Sequence, residues 1–295
     1  MKKIISEICL KEGIFVESLI KINKGFSSDV YLINNKYICK IASMDNAKLN
    51  KEISVYKNVI MKHMPKYICS GVLNNFIYLI IEKIDGDTLY SIWHTLCDQE
   101  RKKIIFSISD IIKEFNKIDY KFLDESYKFI DWNDYILNNL KSLKERLNLL
   151  NLSSKFIDEF IDKRFNRLFE KNNIGLCFND IHFDNFIYLN GEVYIIDFDR
   201  VIAGAKDYEL MIFKTMCDNP KKFASEEDEE KVVERDYNEI YNWFLKKYEL
   251  LQNIEFLDER VKVYQFIYLI NHKIKNKDIN GIKNQILIFK NHFKL

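Results

Sequence analysis

Three oxygen-bearing side chains occupy positions where short apolar segments end. Asp180 and Asn185 lie in the polar stretch FNDIHFDN, and Asp197 closes the apolar segment VYIID. Strands on either side of the polar stretch would bring all three side chains to one edge of a small sheet. They would make a poor core, because burying a polar group without a partner costs free energy. Carboxylate and amide oxygens are instead the ligands that Mg²⁺ prefers, together with water and substrate phosphates. The spacing therefore predicts a magnesium and phosphate site.

The order of these residues also matches a reaction. Enzymes of phosphoryl transfer use the pattern D-x-x-x-x-N followed by an apolar D-F, in which the first Asp accepts the proton of the attacking hydroxyl. The Asn and the second Asp of that pattern hold magnesium. A lone D-x-x-x-x-N recurs by chance in a chain rich in Asp and Asn. An independent group of residues is needed to test the interpretation.

That group lies in the N-terminal part of the chain. Phosphoryl transfer needs a cover over the nucleotide, a lysine for the phosphates and a carboxylate that positions the lysine. The loop KGFSSD contains Gly25, Ser27 and Ser28, and its backbone N–H groups could fold over phosphates. Lys40 stands among apolar strand neighbours, where an unpaired ammonium is costly. Glu52, on the predicted helix of this region, supplies the expected partner. Taken singly, the loop could be an ordinary turn and Lys40 a surface lysine. Together, the loop, Lys40 and Glu52 follow one another along the chain in the order that phosphoryl-transfer enzymes use.

The elements that must position these residues begin with a sheet. Up to about residue 82, alternating and continuous apolar segments predict five strands. Between the third and fourth strands, the segment NAKLNKEISVYKNVIMKH has apolar residues every three to four positions, which predicts one helix. The short links at Asn34-Asn35 and Asn74-Asn75 favour antiparallel pairing. The five predicted strands are FVESLIKI, DVYLINN, KYICKIA, KYICSGV and FIYLIIE.

From residue 88 onwards the helical period dominates. Helices are predicted near 99–118, 131–149 and 153–171 and again after residue 207, while 174–199 returns to the short strands IGLCF, FIYL and VYIIDF. We therefore expect an α+β protein of two lobes. Residues 1–84 would form an antiparallel sheet lobe with one main helix and end in a hinge. Residues 85–295 would form a larger, mostly helical lobe that carries the polar loop and the substrate pocket.

Composition argues against several other classes of protein. Among 295 residues, 45 Lys and Arg balance 44 Asp and Glu, whereas nucleic-acid binding rests on a concentrated basic excess. Six separated cysteines, with no C-x-x-C pair, are interpreted as small buried hydrophobes in a reducing compartment. Glu7 breaks the apolar stretch at the N-terminus, and no run approaches the ~18 apolar residues of a membrane span. We expect a cytoplasmic protein.

The motifs FNDIHFDN and IIDFD resemble the signature of the aminoglycoside phosphotransferase and choline kinase family, H-[GN]-D-x-x-x-x-N followed by I-D-[FW]. The resemblance extends from about residue 24 to residue 211 and implies a protein-kinase-like fold. It implies that Asp180 is the catalytic base and that Asn185 and Asp197 are magnesium ligands. Two positions depart from the pattern, since Phe178 replaces the first His and Asp199 replaces the Gly that often follows Asp-Phe.

The resemblance implies further roles. The segment after the last sheet strand would be the hinge between the lobes, where the Glu82 carbonyl and the Ile84 N–H bind the adenine or guanine base. The segment GAKDYEL resembles the family's G-D-P-x-Y-D-L, and Glu209, in place of the usual Asp, would brace the catalytic loop from behind. His182 would support that loop. Asp199 is open to two interpretations, a partner of a metal ligand or a solvated carboxylate.

The expected protein is a small-molecule kinase that uses Mg²⁺ and ATP or GTP. Its acceptor would be an amino-sugar, a choline-like amine or another small polyol. We expect nucleotide and acceptor as partners, no nucleic acid and no membrane, and either a monomer or a dimer. Two alternatives remain. Phe178 suggests a catalytically silent nucleotide-binding module, and a protein kinase is disfavoured because the sequence lacks H-R-D and A-P-E motifs.

Overall fold

The computed structural model describes residues 1–22 and 28–295. Within this part of the chain, the first sheet contains β1 to β5 in the order β1-β2-β3-β5-β4, and every neighbouring pair is antiparallel. These strands are β1 (Leu19–Ile22), β2 (Asp29–Ile33), β3 (Tyr37–Ser43), β4 (Tyr67–Leu73) and β5 (Phe76–Glu82). All five overlap the predicted strands, and the first begins four residues later than the segment FVESLIKI.

Asparagine pairs close two hairpins of this sheet. Asn34 and Asn35 have φ values of 54° and 51°, and Asn74 and Asn75 have values of 49° and 64°. Two consecutive residues with positive φ make the type I′ turn that matches the twist of antiparallel strands, and Asn tolerates that region better than most residues. The predicted antiparallel order is confirmed.

The sheet packs between two helices, α1 (Lys2–Lys11) and α2 (Ala47–Asn58). Ile77, Leu79 and Ile81 of β5 belong to the core on the α2 side, whereas Tyr78 and Ile80 belong to the core on the α1 side. A strand covered on both faces is apolar at successive positions, which explains the run FIYLII. Helix α1 is an addition to the one helix that the sequence analysis placed in this lobe.

The rest of the chain is mainly helical. Helix α4 leads to a long connection, then to a helical hairpin formed by α5 and α6, and the chain ends in the antiparallel pair α11 and α12. The helices after β5 are α3 (Leu89–Ile92), α4 (Asp98–Phe115), α5 (Trp132–Leu149), α6 (Lys155–Phe160), α7 (Asn166–Leu168), α8 (Leu210–Asp218), α9 (Ile240–Lys247), α10 (Glu249–Gln252), α11 (Leu257–Lys275) and α12 (Ile279–Phe293).

Two small sheets lie within this helical region. Strand β6 (Asp87–Thr88) pairs with the hairpin of β8 (Phe186–Leu189) and β9 (Glu192–Ile195), and β7 (Ile174–Cys177) pairs with β10 (Ile202–Ala205). The hairpin turns at Asn190 and Gly191, as predicted, with φ values of 50° and 87°. The sequence analysis missed β6 and β10.

The elements between β7 and β10 hold the polar loop. Three apolar residues of the loop, Phe178, Ile181 and Phe183, lie between its polar residues in the sequence. Their side chains are fully buried in the core that also contains residues of α2 and β5. The loop is thus fixed from below by packing. The fold is the α+β, two-lobed architecture that was predicted, although the boundary at residue 84 stays a prediction.

The structure also bears on the expectations about cysteines and membrane spans. Cys9, Cys39 and Cys177 are buried, but Cys97 is exposed and Cys69 and Cys217 are half-buried, so the interpretation of all six cysteines as buried was wrong. The exposed one precedes α4 as its N-cap. Among the described residues, no helix is both long and apolar enough to cross a membrane.

Candidate active site

Lys40 and Glu52 form an ion pair between the sheet and α2. Ile38 and Ala42 of β3 contact the α2 side of the sheet, and Cys39 and Ile41 the other side, so strand alternation turns Lys40 toward α2. Its Nζ lies 2.7 Å and 3.0 Å from the two carboxylate oxygens of Glu52. Burial lowers the pKa of Lys40, but the carboxylates of Glu52 and Asp197 outweigh it and raise this pKa above its ordinary value. Lys40 therefore carries a fixed positive charge.

Asp197 joins the same ammonium from the opposite lobe. Its Oδ1 lies 3.1 Å from Lys40 Nζ, and its side chain is 40% exposed. The residue has φ of 65°, a left-handed conformation that non-glycine residues adopt rarely and that often marks a functional site. The next N–H, of Phe198, donates to Glu52 Oε1 at 3.4 Å. Lys40, Glu52 and Asp197 thus meet where the two lobes touch.

Asp180 lies in the polar loop and is held by several donors. Asn185 Nδ2 donates to both the carbonyl and Oδ2 of Asp180 at 3.0 Å. His182 Nε2 is 3.4 Å from Oδ2, and Arg200 Nη1 is 3.5 Å from Oδ1. Burial raises the pKa of Asp180, but the interactions with His182, Arg200 and Asn185 outweigh burial and lower it below its ordinary value. Asp180 is therefore an ionised carboxylate with fixed orientation.

Glu209 contacts this loop from behind, the position that the sequence analysis expected. It follows β10 and is fully buried. Its Oε1 accepts the Phe178 N–H at 2.7 Å and its Oε2 accepts the Asn179 N–H at 2.8 Å, while Asn116 Nδ2 donates to Oε1 at 2.9 Å. Burial raises the pKa of Glu209 to about 7, against the lowering effect of these three donors. The backbone turns at Asn179, which has a φ of 58°. The N–H groups of Phe178 and Asn179 therefore have no partner in a strand or helix, and the Glu209 carboxylate accepts both.

Phe178, which stands where the family signature has His, is a packing residue. Its ring is fully buried and lies 5.6 Å from the ring of Phe198, 6.2 Å from that of Phe186 and 6.3 Å from that of Phe115. Edge-to-face aromatic pairs of this kind stabilise a core beyond the area they bury. The departure therefore replaces a polar support of the loop with an aromatic one and leaves Asp180 and Asn185 in place.

The side-chain oxygens of Asn185 and Asp197 are of the kind that Mg²⁺ prefers. Asn185 uses its Nδ2 on Asp180, so its Oδ1 is the amide atom that a metal can take, and Asp197 uses Oδ1 on Lys40 and keeps Oδ2. Among the described residues, no group of three or more His, Cys, Asp or Glu side chains is arranged to hold a metal. Two protein ligands are what Mg²⁺ needs when phosphates and water complete its shell.

The other nucleotide-binding candidates lie around the same cleft. Ser28 is half-buried just before β2, whereas Gly25 and Ser27 lie outside the described residues. Glu82 ends β5, and the following Lys83 N–H donates to the Lys36 carbonyl at 2.9 Å. The Ile84 N–H has no acceptor within residues 1–22 and 28–295.

Two contributors to this site, Arg200 and Asn116, were not predicted from the sequence, and the partner of a third, Asp199, was left open. Arg200 contacts Asp180, and Asn116 on the C-cap of α4 contacts Glu209. Asp199, which was left between two interpretations, is 9% exposed and pairs with Lys48 Nζ at 3.0 Å. Only Arg200 could have been suspected from the sequence, because it directly follows the Asp-Phe-Asp segment that contains Asp197. The others are joined to their partners by the fold alone.

Together these features define a class of protein. A two-lobed α+β fold, with a Lys–Glu pair in the sheet lobe and an Asp, Asn and Asp around a hairpin in the helical lobe, is the architecture of kinase-type phosphotransferases. Residues 18–230 match the model of the phosphotransferase enzyme family, and the chain belongs to this family. It is a phosphotransferase, and the resemblance of its motifs to the aminoglycoside phosphotransferase and choline kinase family is confirmed.

A solved structure has a similar fold. It is the crystal structure of a choline/ethanolamine kinase family protein from Mesorhizobium loti. The similarity covers 97% of this chain and 94% of that chain, with a TM-score of 0.59 and 10% sequence identity. At this identity the likeness concerns the fold, and the acceptor has to be argued from the site.

Proposed function

We propose that the protein transfers the γ-phosphoryl group of a magnesium-bound nucleoside triphosphate, ATP or GTP, to a hydroxyl group of a small molecule. The observation that carries the proposal is the meeting of Lys40, Glu52 and Asp197. One ammonium lies 2.7 Å from a carboxylate of the sheet lobe and 3.1 Å from a carboxylate of the helical lobe. A phosphate-binding lysine next to a metal-binding carboxylate is what phosphoryl transfer requires.

Each residue of this group has a separate task. Lys40, held by Glu52, would contact the phosphates with a charge that burial does not neutralise. Asn185 and Asp197 would hold the magnesium ion, which neutralises the charge that develops on the phosphates. Because the transition state is loose and little covalent chemistry is left to the protein, positioning and charge stabilisation supply most of the rate.

Asp180 would orient the acceptor hydroxyl and take its proton. A carboxylate with a lowered pKa is a weak base, so it accepts the proton late, when the bond to phosphorus has formed and the hydroxyl has become acidic. His182 and Arg200 keep this carboxylate ionised and limit its rotation. Glu209 fixes the backbone immediately before it.

The base of the nucleotide would bind at the end of β5. The Ile84 N–H, which has no acceptor within residues 1–22 and 28–295, suits a purine ring nitrogen, and the Glu82 carbonyl would accept the exocyclic N–H. Ser28 and the backbone of the preceding loop, with Gly25 and Ser27, would cover the phosphates. The acceptor would lie against the helical lobe, and an amino-sugar, a choline-like amine and another polyol are all compatible with this proposal.

A coupled nucleotide-consumption screen tests the proposal. ATP and GTP are supplied in parallel, with magnesium, to amino-sugars, choline, ethanolamine, nucleosides and sugars. Consumption that depends on one acceptor and on magnesium, and that is lost in Asp180→Asn, supports phosphoryl transfer. Binding of nucleotide with no consumption for any acceptor would favour the silent module, and phosphorylation of casein without any small acceptor would favour a protein kinase.

A further inference from the structure

Helix α2 is attached to the helical lobe along one side. Lys48, Lys51, Glu52 and Ser54, within two turns of the helix, all contact groups outside the sheet lobe or at its boundary. Lys51 is three positions from both Lys48 and Ser54, and Glu52 is four positions from Lys48, so the four residues are neighbours on one half of the helix surface. The position of α2 relative to the catalytic loop is thus set by side-chain contacts in addition to the core, and Glu52 is the member of this face that reaches Lys40.

The first attachment is the ion pair between Lys48 and Asp199. Lys48 Nζ lies 3.0 Å from Asp199 Oδ2, and the Asp199 side chain is 11% exposed while that of Lys48 is 57% exposed. Asp199 stands two residues after Asp197, so this pair ties the first turn of α2 to the segment that carries a proposed magnesium ligand. A glycine at position 199 could not make this contact. We name the ion pair between Lys48 and Asp199 the latch.

The second attachment is the main part of the connection between α4 and α5, residues 119–131, which we name the strap. Lys51 Nζ lies 4.3 Å from the centroid of the Tyr127 ring, a cation–π contact, and the Tyr127 hydroxyl donates to the Ala47 carbonyl at 3.4 Å. Ser54 Oγ donates to the Phe122 carbonyl at 3.3 Å. The strap therefore covers the outer side of α2 over two turns.

The strap is itself anchored to the catalytic region. The Phe129 N–H donates to the Ala203 carbonyl of β10 at 2.8 Å, and Leu123 is buried in the core shared with α2. Strand β10 lies between Asp197 and Glu209 in the chain. A displacement of the strap would thus move α2 relative to the polar loop, because one segment contacts both.

We infer that Lys48, Asp199 and Tyr127 are positioning residues of the phosphoryl-transfer reaction, which hold α2 where Glu52 reaches Lys40. The inference rests on the proposed function for the role of Lys40 at the phosphates. None of the three would touch substrate. They act through Glu52, whose distance from Lys40 depends on where α2 lies. Because Lys40 would contact the phosphates, a shift of about 1 Å in this pair should weaken the productive binding of MgATP.

A double-mutant cycle tests the latch. Lys48→Met, Asp199→Asn and the double variant are compared in the slow magnesium-dependent hydrolysis of ATP, with water as acceptor. Each single change should lower kcat/KM for MgATP on the order of tenfold, mainly through KM, and the double variant should lose little more. Lys48→Arg should restore the wild-type value, and Lys57→Met, an exposed lysine of the same helix, should match wild type. Additive losses, or an unchanged KM in both single variants, would overturn the latch.

Tyr127 and hydrogen exchange test the strap without relying on turnover. Tyr127→Phe keeps the ring over Lys51 and loses only the long hydrogen bond of 3.4 Å to the Ala47 carbonyl, so it should stay close to wild type. Tyr127→Ala should raise KM for MgATP and speed exchange of the amides of residues 47–58 on the order of tenfold. Protected amides in α2 of the Ala variant would contradict the strap. If the wild type consumes no nucleotide, the proposed function fails, but the exchange of α2 in Lys48→Met and Tyr127→Ala still decides whether these contacts hold the helix.

Discussion

Glu209 Oε2 accepts a hydrogen bond of 2.8 Å from the backbone N–H of Asn179, the residue that precedes Asp180. This contact joins the start of the C-terminal helices to the polar loop. It also explains how a loop with a left-handed residue, Asn179, can be rigid, because the carboxylate accepts the N–H groups that the turn cannot pair. A fully buried carboxylate in this role must titrate abnormally, and its titration can be measured.

We predict that Glu209 makes stability fall as pH rises from about 4.5 to about 7. Burial raises the pKa of Glu209 from 4.5 to about 7, so the folded protein binds this proton more tightly than the unfolded chain does. Its stabilising contribution is full below pH 4.5 and is lost as pH rises through 7. At about 1.4 kcal/mol for each pKa unit, wild type should lose about 3 kcal/mol of unfolding free energy relative to Glu209→Gln over this range.

Urea unfolding of both proteins at about pH 5 and about pH 7.5 measures this difference. The matched control is Glu125→Gln, an exposed carboxylate, which should leave the pH dependence as it is in wild type. A difference between wild type and Glu209→Gln that is the same at both pH values would mean that Glu209 titrates normally.

Asp180→Asn should abolish phosphoryl transfer while the fold and nucleotide binding persist. The amide can still accept the hydrogen bond of 3.0 Å from Asn185 Nδ2, so the loop keeps its geometry. It cannot accept a proton, and the loss of a positioned base costs about 10²- to 10⁴-fold in rate. The measurement is turnover with the acceptor found in the screen, together with the dissociation constant of the nucleotide. Near-normal turnover would show that another group takes the proton.

Lys40→Met should destabilise the protein as well as inactivate it. The change leaves the carboxylates of Glu52 and Asp197 near one another without the ammonium that lies 2.7 Å and 3.1 Å from them. Removing one partner of a buried pair costs about 3–5 kcal/mol. Adding Glu52→Gln to Lys40→Met should recover part of the unfolding free energy in a denaturant titration but none of the activity. Equal stability of Lys40→Met and wild type would contradict a buried pair.

The parts of the fold that the sequence predicted are those with a local signal. Lys40 could be placed because strand alternation and its apolar neighbours gave it a buried side, and the turns could be placed because Asn pairs favour positive φ. Helix α1 was missed because the role of its apolar residues becomes visible only in the fold. Ile5, Ile8 and Cys9 pack against the outer face of the sheet.

The contacts that sequence reasoning missed join residues far apart in the chain. Asn116 and Glu209 are 93 positions apart and Lys48 and Asp199 are 151 apart. No periodicity links such pairs, so neither side chain reveals its partner. The left-handed backbone of Asp197 is likewise invisible in the residue type, because Asp adopts that region only where its surroundings impose it.

Magnesium should stabilise the nucleotide complex through Asp197. Wild type with a non-hydrolysable ATP analogue and Mg²⁺ should gain about 5 °C or more in Tm over the analogue with EDTA, because a ligand that binds the folded state alone stabilises it. Asp197→Asn should lose most of this magnesium-dependent gain. Asn tolerates the φ of 65° at this position, so the backbone need not change. Asp119→Asn, an exposed carboxylate elsewhere, should keep the full gain. If Asp197→Asn also keeps it, the ion is held by other groups and Asp197 serves only to position Lys40.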